Sequence, residues 1–498
     1  MKKILFAIAL AFSFYAQAQN QVIEESFWKT NPSLEQVKTA IKQFDYANVQ
    51  GSKDPILLAI KAKAPIETIQ FLIDQPQVNF SRTIHEGRNY LHDQTNANNL
   101  EVVDYLLQKG ADMYFIDANG QTPLTFAAFS GKLTKEMLDI YIKHGLDVKK
   151  RYEKKDNVNL LLLAVGYDNG LAFTKYLETK GLSIKDIDDK GHNAFYHAVK
   201  IGNVEVLKQI VNAGVKPTND ALFAAAMATY KSSPKVDVFQ YLIEDLKLDP
   251  KIVDDNGQNL LHYVAKKKDQ DEVVNYLLAK GVDAKKVDNA GNTPFFIAAS
   301  GISLNVVKAL QPFVKDINQQ DKDGNTALSK AVATSTGEVV EFLISKGADV
   351  NYKDKNGNNL AFVLVNAYKV PRFMPNPNAA PQKDEFSLKL NALKQNKVDF
   401  SKPFKNGQTV YHLAAEKNDI NLFKKLSDVK ANVNQQDNEG FTAMHKAALV
   451  AKDDQVLKYL LTIGANPKLK SNFDETVYDL ASDNEVLKQT NISIEFLK

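Results

Sequence analysis

The stretch DNAGNTPFFIAAS runs from Asp288 to Ser300, and the chain returns to it almost verbatim. At Asp321 it reads DKDGNTALSKAVA and at Asp354 DKNGNNLAFVLVN, each restart 33 residues after the last. The glycine of the phrase recurs as Gly87, Gly120, Gly191, Gly257, Gly291, Gly324, Gly357, Gly407 and Gly440. The two widest gaps before Gly257 each hold a degenerate copy, DNVNLLLLAVGYD from Asp156 and NDALFAAAMATY from Asn219. A fixed period of this size marks an array of stacked supersecondary units.

The residues of one copy explain its shape. In Gln121-Thr122-Pro123-Leu124, Thr122 suits a helix N-cap and Pro123 the first helical position, where no N–H is needed. Ala127-Ala128 keeps that helix narrow, so a neighbouring helix can approach it closely. In EVVDYLLQKGAD, Val102, Val103, Leu106 and Leu107 share one face of a second helix, and Gly110 ends it. Pairs such as Asn119-Gly120, Asp323-Gly324 and Asn356-Gly357 then stand where a tight turn needs positive φ. The unit is helix, helix, turn.

This period and phrase, with QKGADMYFID, AKGVDAKKVD, SKGADVNYKD and TIGANPKLKS filling a G-A-D-x-N slot after the second helix, resemble the ankyrin repeat, whose core reads D-x-x-G-x-T-P-L-H-x-A-A, in the manner of exported bacterial members of that family. The resemblance covers nearly the whole chain after its first 50 residues. It implies an all-α ankyrin-repeat solenoid of about twelve helix–helix–β-turn units over 51–498, with a concave groove. Residues 19–50 are expected to form an N-terminal helical cap with a helix over Pro32–Gln43. TPLH is never complete, and the copies at Asp156 and Asn219 lack the turn glycine, so distortion is expected there.

Length alone, 498 residues, suggests about three globular domains; the repeat replaces that expectation with one array. Lysine and arginine number 62 against 59 acids, a near balance that offers no case for nucleic acid or an anionic membrane. Lys2-Lys3, the apolar run Ile4–Tyr15 and Ala16-Gln17-Ala18 follow the order of a secretory signal peptide over 1–18, cleaved after Ala18. The run is too short for a spanning helix. There is no cysteine, so a protein exported to an oxidising space must draw its stability from stacking. A periplasmic or secreted, monomeric product with no membrane attachment after cleavage is expected.

His92, His262, His412 and His445 all fall in the histidine slot of the phrase. In the resembling family that imidazole bonds to the cap and to neighbouring backbone. Adjacent helices pack about 8–10 Å apart, whereas zinc needs every ligand within about 2 Å, so His412 and His445 are read as structural. Asp117, Asp188, Asp254, Asp288, Asp321, Asp354 and Asp437 recur in the turn slot and are read as turn chemistry. Hydrolase, metalloprotease and nucleotide-binding signatures are lacking; no catalytic residue, metal site or cofactor is expected.

Between Gly357 and Gly407 the interval stretches to 50. The excess lies in a Pro-rich insertion at 370–387 containing Pro371, Pro375, Pro377 and Pro381, with Phe373 and Met374 as possible apolar contacts. Dense proline disfavours helix, and long loops cost little stability.

The resemblance implies a scaffold that binds another protein through variable groove positions just after the small pair. These are Phe129 and Ser130, Tyr167, Lys200 and Ile201, Met227, Lys266 and Lys267, Glu416 and Lys417, Leu449 and Val450. Phe129, Tyr167 and Met227 are the expected apolar anchors, unless they fill gaps beside the degenerate copies. The alternative reading is an enzyme or metal-handling protein whose site lies on the array.

Overall fold

The computed structural model describes residues 21–42, 44, 46, 53–152, 156–227, 235–370, 383–490 and 492–498. The expected signal peptide over 1–18, Phe373 and Met374 with most of the Pro-rich insertion, and most of a smaller swelling at 229–237 lie outside the described residues. The chain divides into two compact units, Met1–Tyr241 and Leu242–Lys498. Among the described residues the architecture is all-α, with thirteen successive helix pairs from Pro55–Lys61 with Ile66–Ile73 to Val477–Asp483 with Glu485–Gln489. Strand pairing is confined to isolated bridges such as Ile187 with Asn193. None of the helices described is long and apolar enough to cross a membrane.

Ahead of the pairs, the expected cap helix spans Leu34–Ile41. Ser33 accepts from the Gln36 N–H while the Gln36 side chain accepts from the Ser33 N–H at 2.7 Å, satisfying two donors that a helix start otherwise leaves bare. A short helix before it, Glu25–Lys29, buries Trp28, whose indole N–H donates to the Val22 carbonyl at 2.9 Å.

The turn aspartate organises each copy. Asp117 Oδ1 accepts the N–H groups of Asn119 and Gln121, both at 2.8 Å. Asp254, Asp321 and Asp354 repeat the arrangement two and four residues on. This side-chain mimic of a turn holds Gly120 at φ 73°, a conformation costly for most L-residues. The copy at Asp156 keeps the turn without glycine: Asp156 and Asn157 take φ 60° and 55°, which short polar side chains tolerate. The expected distortion appears one step later, where Leu160–Ala164 lasts five residues and tightens into a 3-10 turn at Val165–Tyr167.

Several copies are also tied to the next. The Ala118 N–H donates to the Glu86 carbonyl, Asp189 to Asp156, Asn289 to Asn256, and Asn438 to Asn406, at 2.8–3.0 Å. Below the turns, Ala127, Ala128, Ala298, Ala299, Ala414 and Ala415 have no exposed surface, so inner helices close on one another through their small pairs. Second helices end as expected: Gly110 has φ 88°, and the Ala111 N–H reaches back to the Leu106 carbonyl at 3.0 Å.

The insertion falls between the two helices of one copy, Leu360–Asn366 and Glu385–Gln395. The second helix is nevertheless fastened to the preceding copy. Glu385 accepts from the Gly337 N–H at 2.7 Å, and the buried Lys389 ammonium donates to the Val332 carbonyl at 2.8 Å.

Candidate functional site

The four slot histidines are framework. His412 Nδ1 accepts from the Thr409 N–H and hydroxyl, both at 3.0 Å, and Nε2 donates to the Phe441 carbonyl of the next copy at 2.9 Å. His445 does the same with Thr442 and the Glu475 carbonyl. His92 and His262 use Asn caps and the carbonyls of Gln121 and Asn292. Burial holds all four below the usual histidine pKa, so near neutral pH they are uncharged hydrogen-bonding cross-pieces.

The second oxygen of the turn aspartate points to a different position, four residues past the cap on the inner helix. Asp188 Oδ2 meets His197 at 3.1 Å, Asp254 meets Tyr263 at 2.5 Å, Asp321 meets Lys330 at 3.3 Å, and Asp437 meets Lys446 at 3.2 Å. In the Asp117 copy that position is Phe126, and Arg88 of the preceding copy supplies the cation, 3.6 Å from Asp117 and stacked 4.1 Å above the Phe126 ring. This half-buried column changes chemistry from copy to copy while facing a constant aspartate. Sequence reasoning missed it. Its signal was present, since each partner lies nine residues after its aspartate.

The Asp188 copy gathers the densest polar group. Asp188 Oδ2 also meets His192 Nδ1 at 3.0 Å; the His192 ring lies flat on Tyr196, centroids 3.6 Å apart; and Lys200 sits 4.4 Å above the same ring. Burial, then the Lys200 charge, depresses His197 to about 4. Burial also lowers Lys200. Among the described residues no group of three or more His, Asp or Glu side chains is placed to hold a metal ion.

The positions expected to bind a partner lie at the ends of inner helices. In Met1–Tyr241, Phe129 ends Pro123–Phe129 and is 42% exposed, while Met227 ends Asp220–Met227 and is 43% exposed. Tyr167 joins two copies: its hydroxyl donates to the Phe129 carbonyl at 2.9 Å. Its ring occupies the space above Gly131, where an added Cβ would come within 2.6 Å. Ile201 covers Gly166 in the same way. Phe129, Tyr167 and Ile201 therefore lie along consecutive packed helices and form one ridge. Tyr167 and Ile201 fill space between copies as well as lining the face. Ser130 is a helix C-cap.

In Leu242–Lys498 the positions expected to bind a partner are charged in two copies and apolar in a third. Lys266 is exposed; burial depresses Lys267 to about 8. Lys417 donates to the Asn366 carbonyl at 2.9 Å and Glu416 accepts from Gln408 at 3.4 Å. Leu449 and Val450 are 49% and 38% exposed. Lys353, Lys397, Lys402 and Lys405 line an open hollow on the turn side of this unit.

A family model described as ankyrin repeats, three copies, matches residues 56–152, 94–188, 222–321, 261–354 and 378–471, more than half of the chain. An ankyrin repeat protein of fowlpox virus (strain NVSL) is 27% identical over 260 residues, 47% of this chain and 43% of the viral protein. The human transient receptor potential cation channel subfamily A member 1 is 25% identical over 249 residues, 49% of this chain and 19% of the channel. An ankyrin repeat protein of Rickettsia bellii (strain RML369-C) is 34% identical over 73 residues, 15% of this chain and 40% of that protein. The chain spans less than half the length of each of these relatives.

Proposed function

The chain belongs to the ankyrin-repeat family, and on that premise we propose that it is a non-catalytic scaffold that binds a partner protein through its inner-helix face in the periplasm. Repeats of this kind are generally protein-interaction modules, because stacking multiplies a surface whose side chains vary while its framework stays constant. The observation that carries the reading is the ridge of Phe129, Tyr167 and Ile201, with Met227 exposed at the end of the inner helix Asp220–Met227. Large apolar side chains at partly exposed positions are the groups that dominate protein interfaces. The polar groups nearby support the same reading, since their hydrogen-bonding capacity is spent on turns and caps.

Export rests on the residues Met1–Ala18, whose charge, apolar run and A-x-A end match a cleaved leader. Intact mass of the exported protein should place Gln19 first; recovery of uncleaved chain in membranes would sink this part. Binding is tested by affinity capture from periplasm with the mature chain and with Phe129→Ala/Tyr167→Ala/Met227→Ala. A partner retained by the first and lost by a folded second supports the ridge. Equal capture by both would place binding elsewhere.

A further inference from the structure

The slot after the second helix is filled in many copies by a buried plug. A left-handed glycine turns the chain, and the next residue is buried: Ala111, Leu146, Val282, Ala348 and Ala465 are at most 7% exposed. Their N–H groups donate back into the helix, as Val282 does to Leu277 and Ala348 to Leu343, both at 3.1 Å. One copy departs. Counting 33 residues back from Gly347 and Ala348 gives Val314 and Lys315.

The departure has a physical cause. Valine is β-branched and avoids the left-handed region, and Pro312 precedes it in a 3-10 turn, Gln311–Phe313. Val314 leaves that turn extended, at φ −80° and ψ 123°, where Gly347 has φ 90°. The chain therefore does not turn inward, and Lys315 is exposed. Where the plug would sit there is a cavity of about 250 Å³, lined by Lys315 itself. Phe295, Phe296 and Ile317 help wall it; Val287 and Phe313 stand at its edge, 46% and 38% exposed.

Its charge is one-sided. Lys285 and Lys315 both line the opening, and neither ammonium has a carboxylate partner among the ion pairs of the described residues. The one acid in the lining, Asp316, has an oxygen engaged by the Asn318 N–H at 2.8 Å. The vacancy thus has the position of one apolar side chain carried on a main chain, beside two cations outside any ion pair and a single carboxylate, Asp316.

We propose that this cavity is a docking pocket for a single apolar side chain, such as leucine, on a partner protein segment with acidic residues on either side. The segment replaces the plug that the chain's own residues supply in copies such as those of Val282 and Ala348, and Lys285 and Lys315 face its carboxylates. The pocket lies in Leu242–Lys498 and does not depend on the Phe129–Tyr167 ridge of the other unit, so either can fail alone.

The test is fluorescence anisotropy of a fluorescein-labelled peptide, Glu-Glu-Leu-Glu-Glu, titrated with the full mature chain. Saturable binding is expected, with at least about a tenfold loss when the central leucine becomes glycine or the glutamates become lysines. Lys315→Leu restores a plug, and should raise the melting temperature while weakening binding at least about tenfold. Lys285→Glu/Lys315→Glu changes only exposed groups, and should weaken binding as much with no shift in melting. It decides the matter if the leucine variant folds poorly. Absence of saturable binding to the unaltered chain, equal binding of the lysine peptide, or undiminished binding by folded Lys285→Glu/Lys315→Glu would each overturn the proposal.

Discussion

Seven and eight residues past each cap, the unit Met1–Tyr241 carries Phe129, Tyr167, Ile201 and Met227, with Lys200 among them. In the unit Leu242–Lys498 two copies carry charge at the same positions, Lys266 with Lys267 and Glu416 with Lys417, three carry the small or polar pairs Ser300-Gly301, Ala333-Thr334 and Asn366-Ala367, and large apolar side chains appear at Leu449 and Val450. Turn aspartates, side-chain caps and buried small pairs recur in both, as at Asp117, Thr122 and Ala127-Ala128 and at Asp437, Thr442 and Ala447-Ala448. One framework therefore presents two chemistries. Apolar anchors concentrate affinity, whereas exposed charges act more on orientation and association rate. The difference between the units is thus one of kind of contact, set by side chains that the framework does not constrain.

The first way to break the comparison is to attack what the units share. Burial lowers the pKa of His92 and His197 in the first unit and of His262, His412 and His445 in the second. A histidine depressed on folding takes up its proton first in the unfolded state. Stability is therefore full above about pH 6.5, the unfolded value, and is lost as pH falls toward the folded values, about 4 for His197. Denaturant midpoints measured from pH 7 to 4 should fall for both units, the largest effect expected here. A flat profile in either would show that its histidines are not held neutral.

Next comes removal of a cross-piece in each unit. His92→Ala and His412→Ala each delete a fully buried ring bonded to its own cap and to the next copy's carbonyl. Each should cost about 2–3 kcal/mol by equilibrium unfolding. Unequal losses would mean that the shared framework is not equally stressed.

The faces themselves should differ where the frameworks agree. The triple change at Phe129, Tyr167 and Met227 should weaken partner capture at least about tenfold, about 1.4 kcal/mol, with helicity and melting kept. If it unfolds the protein, those side chains belong to the packing between copies. Smallest of all, Lys266→Ala/Lys417→Ala should change partner affinity by less than about twofold at physiological salt. A larger loss that fades at high salt would show that Lys266 and Lys417 contact the partner electrostatically.

Much of the framework was legible in sequence because its causes are local. A turn aspartate reaches two and four residues ahead, and a cap reaches three, so Asp321, Thr326 and Ser329 can be read from one copy alone. The face was less legible because its contacts cross copies. Tyr167 looked like a groove residue, yet it also bonds to Phe129, 38 positions earlier. Arg88 answers Asp117 from the preceding copy, which a column read within one copy does not reveal. The missing plug was visible only as PFVKD where SKGAD stands one period later. That sequence becomes a cavity only when Val314 is seen to leave the helix extended.

The backbone bonds that join successive turns have a consequence for isotope exchange. The amides of Ala118, Asp189, Asn289 and Asn438 lie in loops, where exchange with deuterium is ordinarily fast, yet each is donated to a carbonyl of the copy before it. Such an amide is released only when two neighbouring copies part. Its protection therefore measures the coupling between copies, whereas a mid-helix amide reports the persistence of one copy. A peptide map of the chain would show slow exchange returning within loops at the sequence period, and the loss of one protected site would locate the joint that opens first.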